Sequence, residues 1–183
     1  MVHRRVAASG RVLAASQVGD SITAGALSSS DDHTYPSQLQ ALLGTGYEVT
    51  NLGACGSTLQ KKGDSPFWER PQYDTLVNST WDVVIIMLGT NDAKDAGSFG
   101  PPNWQDGQCE DGTLDDCIFA DDYKSMIELV NGLGAPEVYL MIPPPLMQID
   151  AYSRRADSPR TGRGDAAAAT WIFRGDESRR RRG

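Results

Sequence analysis

The chain has 183 residues, 39% of them hydrophobic, which is enough material for one domain with its own core. Its net charge of −7 is unevenly spread: residues 1–150 carry 8 Lys+Arg against 20 Asp+Glu, and residues 151–183 carry 9 Arg against 4 acids. An acidic body excludes a nucleic-acid binder that grips phosphates through clustered cations, and no apolar run is long enough to cross a membrane as a helix.

Met1 to Gly10 carries basic residues without an apolar centre and does not read as a signal peptide. The first strand is expected over Arg11 to Val18, and the chain then turns through Gly19-Asp20-Ser21. Gly25 permits a second tight bend. The pattern places a serine hydroxyl just past a strand end, where α/β proteins carry their chemistry. Gly-Asp-Ser is equally an ordinary turn, and Asp or Ser before a helix an ordinary cap.

A helix begins at Tyr35-Pro36-Ser37, with Leu39, Leu42 and Leu43 at helical spacing and Gly44 and Gly46 ending it. The second strand is Tyr47 to Leu52, followed by a Gly53-Ala54-Cys55-Gly56-Ser57 turn; residues 58–70 read as loop and Pro71 to Asn78 as a short helix. The third strand, Trp81 to Leu88, is a continuous apolar run that implies burial on both faces and a parallel sheet. It ends in Gly89-Thr90-Asn91-Asp92. Residues 93–117 show no period and read as a surface insertion. A third long helix is expected from Phe119 to Leu133, with Ile127, Val130 and Leu133 inward, and a fourth strand from Glu137 to Ile142, stopped by Pro143-Pro144-Pro145.

The succession β-α-β-α-β-α-β predicts a three-layer α/β/α sandwich with a parallel sheet. Right-handed crossovers then bring the turns at Ser21, Gly53 and Asn91 to one sheet edge. Acyl transfer needs a nucleophile, a base and donors for the oxyanion. Ser21 offers the hydroxyl. The backbone N–H groups of Ser21 and Gly53 and the side-chain amide of Asn91 offer donors, with glycine at 53 allowing close approach of substrate. Asp20 and Asp92 are supporting candidates. Asn91 could instead only cap its own turn.

Gly19-Asp20-Ser21, Asn51-Leu52-Gly53 and Gly89-Thr90-Asn91-Asp92 resemble the first three sequence blocks of the GDSL, or SGNH, hydrolase family, over about residues 11–146. The resemblance implies a flavodoxin-like sandwich and esterase or lipase activity on carboxylic esters, with acetylated sugars, lipids and aryl esters as substrates. It implies Ser21 as nucleophile and donor, Gly53 and Asn91 as the other donors, and no cofactor. Within the family the chain resembles secreted carbohydrate-type esterases, which fits a Cys109–Cys117 bridge and an Asn78-Ser79-Thr80 glycosylation signal; from the residues alone, three reduced thiols fit as well. A non-catalytic module binding a glycan or acyl ligand is the alternative. A nucleotide site is disfavoured, since Gly19 to Gly25 lacks both the P-loop and dinucleotide fingerprints. His and Cys spacings fit no zinc pattern.

The family's Asp-x-x-His block has no counterpart in this sequence, whose histidines are His3 and His33. His33, beside Asp31 and Asp32, reads as a solvated loop histidine rather than a substitute base. The expected organisation is an esterase domain over 1–150, incomplete at its C-terminal end and missing its last strand and helix, and a basic, disordered tail over 151–183. Impaired turnover and an exposed edge at the fourth strand follow from that expectation.

Overall fold

The computed structural model describes residues 11–94, 103, 117–134 and 137–144. Its centre is a four-stranded parallel sheet built from β1 (Leu13–Gly19), β2 (Tyr47–Gly53), β3 (Val83–Met87) and β4 (Glu137–Leu140), in the order β2-β1-β3-β4. Four α-helices accompany them among the described residues: α1 (Ser21–Ala24), α2 (Tyr35–Leu43), α3 (Pro71–Val77) and α4 (Ile118–Gly132). The parallel α/β architecture is the one expected, and the strand order is that of a flavodoxin-like sheet through its fourth strand.

The register decides where the site lies. Gly19 pairs with Gly53 on one side and Met87 on the other, so β1, β2 and β3 end at one level. The chain direction reverses its spread across the sheet between β1 and β3, which is where such sheets open a crevice beyond their carboxyl ends. The turns after β1 and β3 lie at that point.

Small residues suit β1 to its central place. Ala15 and Val18 are buried, as are the polar Ser16 and Gln17. In β3, Val84, Ile86 and Met87 are buried, while Val83 and Ile85 are only half-buried. The continuous apolar run is thus more fully covered on one face than the other. Trp81 closes the base of the core, its indole N–H donating to the Leu76 carbonyl at 2.9 Å. Asp82 ties β3 to β1 by accepting the Ala14 N–H at 2.8 Å, and it also pairs with Arg11.

Helix α2 starts as expected, with Thr34 as its cap accepting the Ser37 N–H at 3.3 Å. Its outer face differs from expectation. Leu42 is 81% exposed, so the leucine spacing does not mark a fully buried stripe. Helix α4 presents Phe119, Tyr123, Met126 and Val130 to the core. These positions recur at intervals of four, three and four, one face of a helix. Of the expected inward residues, Val130 is buried, and Ile127 and Leu133 pack against the core from its flank. The sulfur of Cys117 caps α4, accepting the Ala120 N–H at 3.3 Å.

Cys117 is disulfide-bonded and Cys55 is free and exposed. Cys109, most of the 93–117 insertion, His3 and the expected tail over 151–183 lie outside the described residues. Among the described residues β4 is an edge strand that ends at Leu140, two residues before the expected Ile142; Tyr139 in it and Met141 and Ile142 just beyond it are exposed. No helix among them is long and apolar enough to cross a membrane.

Candidate active site

The turn after β1 is shaped by what glycine leaves out. A Cβ on Gly19 would stand 1.9 Å from the Thr23 hydroxyl and 2.9 Å from the Met87 carbonyl, so helix α1 can fold directly back onto the strand only with glycine there. Asp20 caps α1, its Oδ1 accepting the Ile22 N–H at 2.9 Å. Gly25, at φ 90°, ends the helix after one turn by donating its N–H to the Ser21 carbonyl. Ser21 therefore opens α1 and is half-buried at the sheet edge. Its N–H belongs to the first-turn amides that a helix leaves without an intrahelical acceptor.

Asp20 is 1% exposed. Burial pushes its carboxyl above the usual carboxylate range, against the opposing pull of the Ile22 N–H. Burial likewise raises the Tyr35 phenol, whose hydroxyl lies 3.0 Å from that of Thr23; the Thr23 bond opposes the rise and the nearby Asp20 charge adds to it.

At the end of β2 one side chain joins two segments. Asn51 donates from Nδ2 to the Thr23 carbonyl at 2.9 Å and accepts the Gly53 N–H on Oδ1 at 2.9 Å. The next amide, Ala54 N–H, donates to the Gly19 carbonyl. A Cβ on Gly53 would sit 2.1 Å from the Ala24 nitrogen and 2.6 Å from the Ala24 Cα. The space that glycine opens at 53 is thus filled by the backbone of α1. The close approach expected there for a substrate is made by the protein itself. The Asn51-Leu52-Gly53 motif does not announce this role of Asn51, which depends on the β1–β2 register that no local pattern states.

The turn after β3 brings in the third group. Gly89 takes φ 130°, a conformation that favours glycine. The Asn91 amide then reaches back across the crevice, donating to the Ser57 carbonyl at 3.1 Å and making a longer contact of 3.5 Å with Asp20 Oδ2. Asp92 is fully buried and accepts two backbone amides, Leu59 N–H at 2.9 Å and Gln60 N–H at 2.7 Å. Burial pushes its carboxyl up to about 6; the two amides oppose this, and the charge of Asp20 adds to it. Tyr123, on α4, has its phenol pushed up by burial and by the charge of Asp92. Asn103 enters from the insertion and donates to the Asn91 carbonyl at 2.8 Å.

The sequence-derived groups divide as follows. Asp20, Asn91 and the Ser57 segment meet, and Ser21 is covalently next to Asp20. Gly53 meets α1 just beyond Ser21, with its N–H given to Asn51. His33 stands apart on an exposed turn, its Nδ1 2.6 Å from the Ser29 hydroxyl. No group of three or more His, Cys, Asp or Glu able to hold a metal ion occurs among the described residues.

A serine at a strand-to-helix turn, next to an aspartate that the amide of the neighbouring strand's Gly-Thr-Asn-Asp turn contacts, agrees with the family comparison. The GDSL-like lipase/acylhydrolase family model matches residues 18–173. The chain belongs to that family. Among curated proteins this GDSL-like chain is 41% identical over 91 residues to an acetylxylan esterase of Xylanibacter ruminicola, a match covering 49% of the chain and 18% of that relative. The chain thus spans less than a fifth of that relative's length. Its fold is also that of an aryl esterase from M. smegmatis, with TM-score 0.61 and 20% identity over 89% of this chain and 81% of that one. A carbohydrate acetylesterase family member from Sinorhizobium meliloti gives TM-score 0.60 and 21% identity over 89% and 77%. A family two carbohydrate esterase from Clostridium thermocellum, solved with cellohexaose, gives 0.53 and 18% over 91% and 53%. At these identities the three structures speak for the fold alone.

Proposed function

We propose that this GDSL-like domain cleaves carboxylic esters through Ser21, with acetyl groups on carbohydrates as the substrate class. The observation that carries the reading is the Asn91 amide held 3.5 Å from Asp20, the neighbour of Ser21, at the crevice between β1 and β3. The acetylxylan esterase relative, 41% identical over its matched stretch, supports the substrate class.

In the proposed reaction the Ser21 oxygen bonds to the acyl carbon and the ester C–O bond then breaks. The alcohol leaves with the proton given up by Ser21. Water then adds to the acyl carbon, the bond to the Ser21 oxygen breaks, and the acid is released as Ser21 regains a proton. The oxyanion formed on the way is met by the Ser21 N–H and by Asn91. Asn91 keeps its 3.1 Å bond to Ser57 and exchanges the longer Asp20 contact for the substrate. Gly53 N–H can join them only by leaving Asn51. The histidines of this sequence are His3 and His33, and the His33 ring is bonded to Ser29. Among the described residues no Asp–His pair stands ready to take the Ser21 proton, so slow turnover is expected of this chain, since loss of a triad histidine costs about a millionfold while oxyanion donors keep roughly 10³–10⁴ over water.

A second reading has support from the commitment of the Gly53 and Asn91 donors to internal acceptors: the crevice binds a glycan or acyl ligand without turnover. Initial rates of acetate release from p-nitrophenyl acetate and from acetylated xylan separate the two. The ester reading expects slow release that is abolished in Ser21→Ala. Saturable binding of acetylated xylan oligomers with equal release by the two proteins would overturn it.

A further inference from the structure

The proposed chemistry needs the Asn91 amide to stay pointed at one place, and two neighbours hold it, one through its side chain and one through its backbone. On the first side, Asn91 and Asp92 grip one segment with opposite polarity. Asn91 donates to the Ser57 carbonyl, and Asp92 accepts the N–H groups of Leu59 and Gln60. A slide of residues 57–60 would break all three bonds together. On the second side, Asn103 is 6% exposed and uses every arm of its side chain. It donates to the Asn91 carbonyl and to Asp64 Oδ1, each at 2.8 Å, and accepts the Asp64 N–H at 2.8 Å. Its own N–H donates to the Lys94 carbonyl at 3.0 Å, and Lys94 pairs with Asp64. The turn 91–94 is thus tied to the loop around residue 64 through one buried amide. A buried polar group is costly to leave unmatched, so this arrangement resists displacement.

We infer that Asp92 and Asn103 are positioning residues that aim the Asn91 amide at the Ser21 crevice, an inference that rests on the ester-cleaving reading above. Neither touches the reacting atoms. Asp92 acts by fixing the carbonyl that Asn91 leans on, and Asn103 by fixing the Asn91 backbone.

The test uses the full chain labelled with 15N, the Asn91 side-chain amide being identified by its loss in Asn91→Ala. Asp92→Asn and Asn103→Ala are compared with wild type, and Asp64→Asn supplies a milder change at an exposed position that holds Asn103. The expected result is at least tenfold faster hydrogen exchange of the Asn91 side-chain amide in Asp92→Asn and Asn103→Ala. Labelling of Ser21 by a fluorophosphonate should slow at least tenfold at an unchanged half-saturating concentration. Asp64→Asn should move both readings the same way by a smaller factor. Exchange within twofold of wild type in Asp64→Asn, and in whichever of the other two folds, would overturn the inference. If wild-type Ser21 takes no label, the ester reading is what fails, and the exchange rates alone decide the clamp.

Discussion

Asn91 and Asp20 are 71 positions apart in the chain, yet the Asn91 amide lies 3.5 Å from the Asp20 carboxylate. Parallel pairing of β1 with β3 brings them together, because Gly19 and Met87 are register partners and each turn leaves the sheet at the same height. The contact is longer than the Asn91–Ser57 bond at 3.1 Å, so it is the one a substrate oxygen can replace at little cost. Removing the amide should therefore cost the acylation step far more than the fold. Asn91→Ala is expected to lower the rate of Ser21 acylation by p-nitrophenyl acetate by about 10²–10³. Release of p-nitrophenolate above the spontaneous rate, followed over hours, measures it.

Gly53 gives a prediction of the opposite kind. Its Cβ would meet the backbone of α1, not a flexible side chain, and its φ is not in the left-handed region. Overlap with backbone at 2.1 Å cannot be relieved by a rotamer change. Gly53→Ala should destabilise the fold by about 1–3 kcal/mol or more, as overpacking does. Thermal unfolding checks it, with a drop of several degrees expected.

Asp92 makes stability depend on pH in a defined direction. Its carboxyl ionises at about 6 in the folded chain, burial being the main cause, and near 4 when unfolded. The unfolded chain therefore releases this proton first as pH rises. The Asp92 contribution is most favourable below about pH 4, declines between about 4 and 6 by roughly 3 kcal/mol, and is flat above. Asp92→Asn removes that titration. Urea unfolding at several pH values should show a shallower loss of stability between pH 4 and 6 in the variant than in wild type.

Leu27 lies at φ 66° and is fully exposed. A left-handed backbone is costly for leucine and mild for asparagine, and no buried contact is lost by the change. Leu27→Asn should raise stability by about 0.5–1 kcal/mol, read as a higher urea midpoint at unchanged slope.

The fold was largely readable before the structure because its signals are local. The apolar run around Ile86, the Tyr35-Pro36-Ser37 start of α2 and the glycine at 44 each act within a few residues. The buried stripe on α4 lies partly off the expected face. Tyr123 and Met126 are less apolar than Ile127, so composition favours Ile127 although the helix buries the other two. The site was legible as residue types at three strand ends, and its hydrogen-bond partners were not. Asn51 receiving the Gly53 N–H, Asp92 holding the 57–60 segment, and Asn103 entering from an aperiodic insertion all depend on which segments the sheet brings together.

The account turns on whether Ser21 is a nucleophile facing donors. Intact-mass measurement after exposure to a fluorophosphonate, on wild type and Ser21→Ala, tests that most directly. The account predicts one adduct per wild-type chain, formed slowly for want of a base and mapped by peptide fragmentation to Ser21, and none on the variant. Equal labelling of the two proteins, or no adduct on wild type, would contradict it.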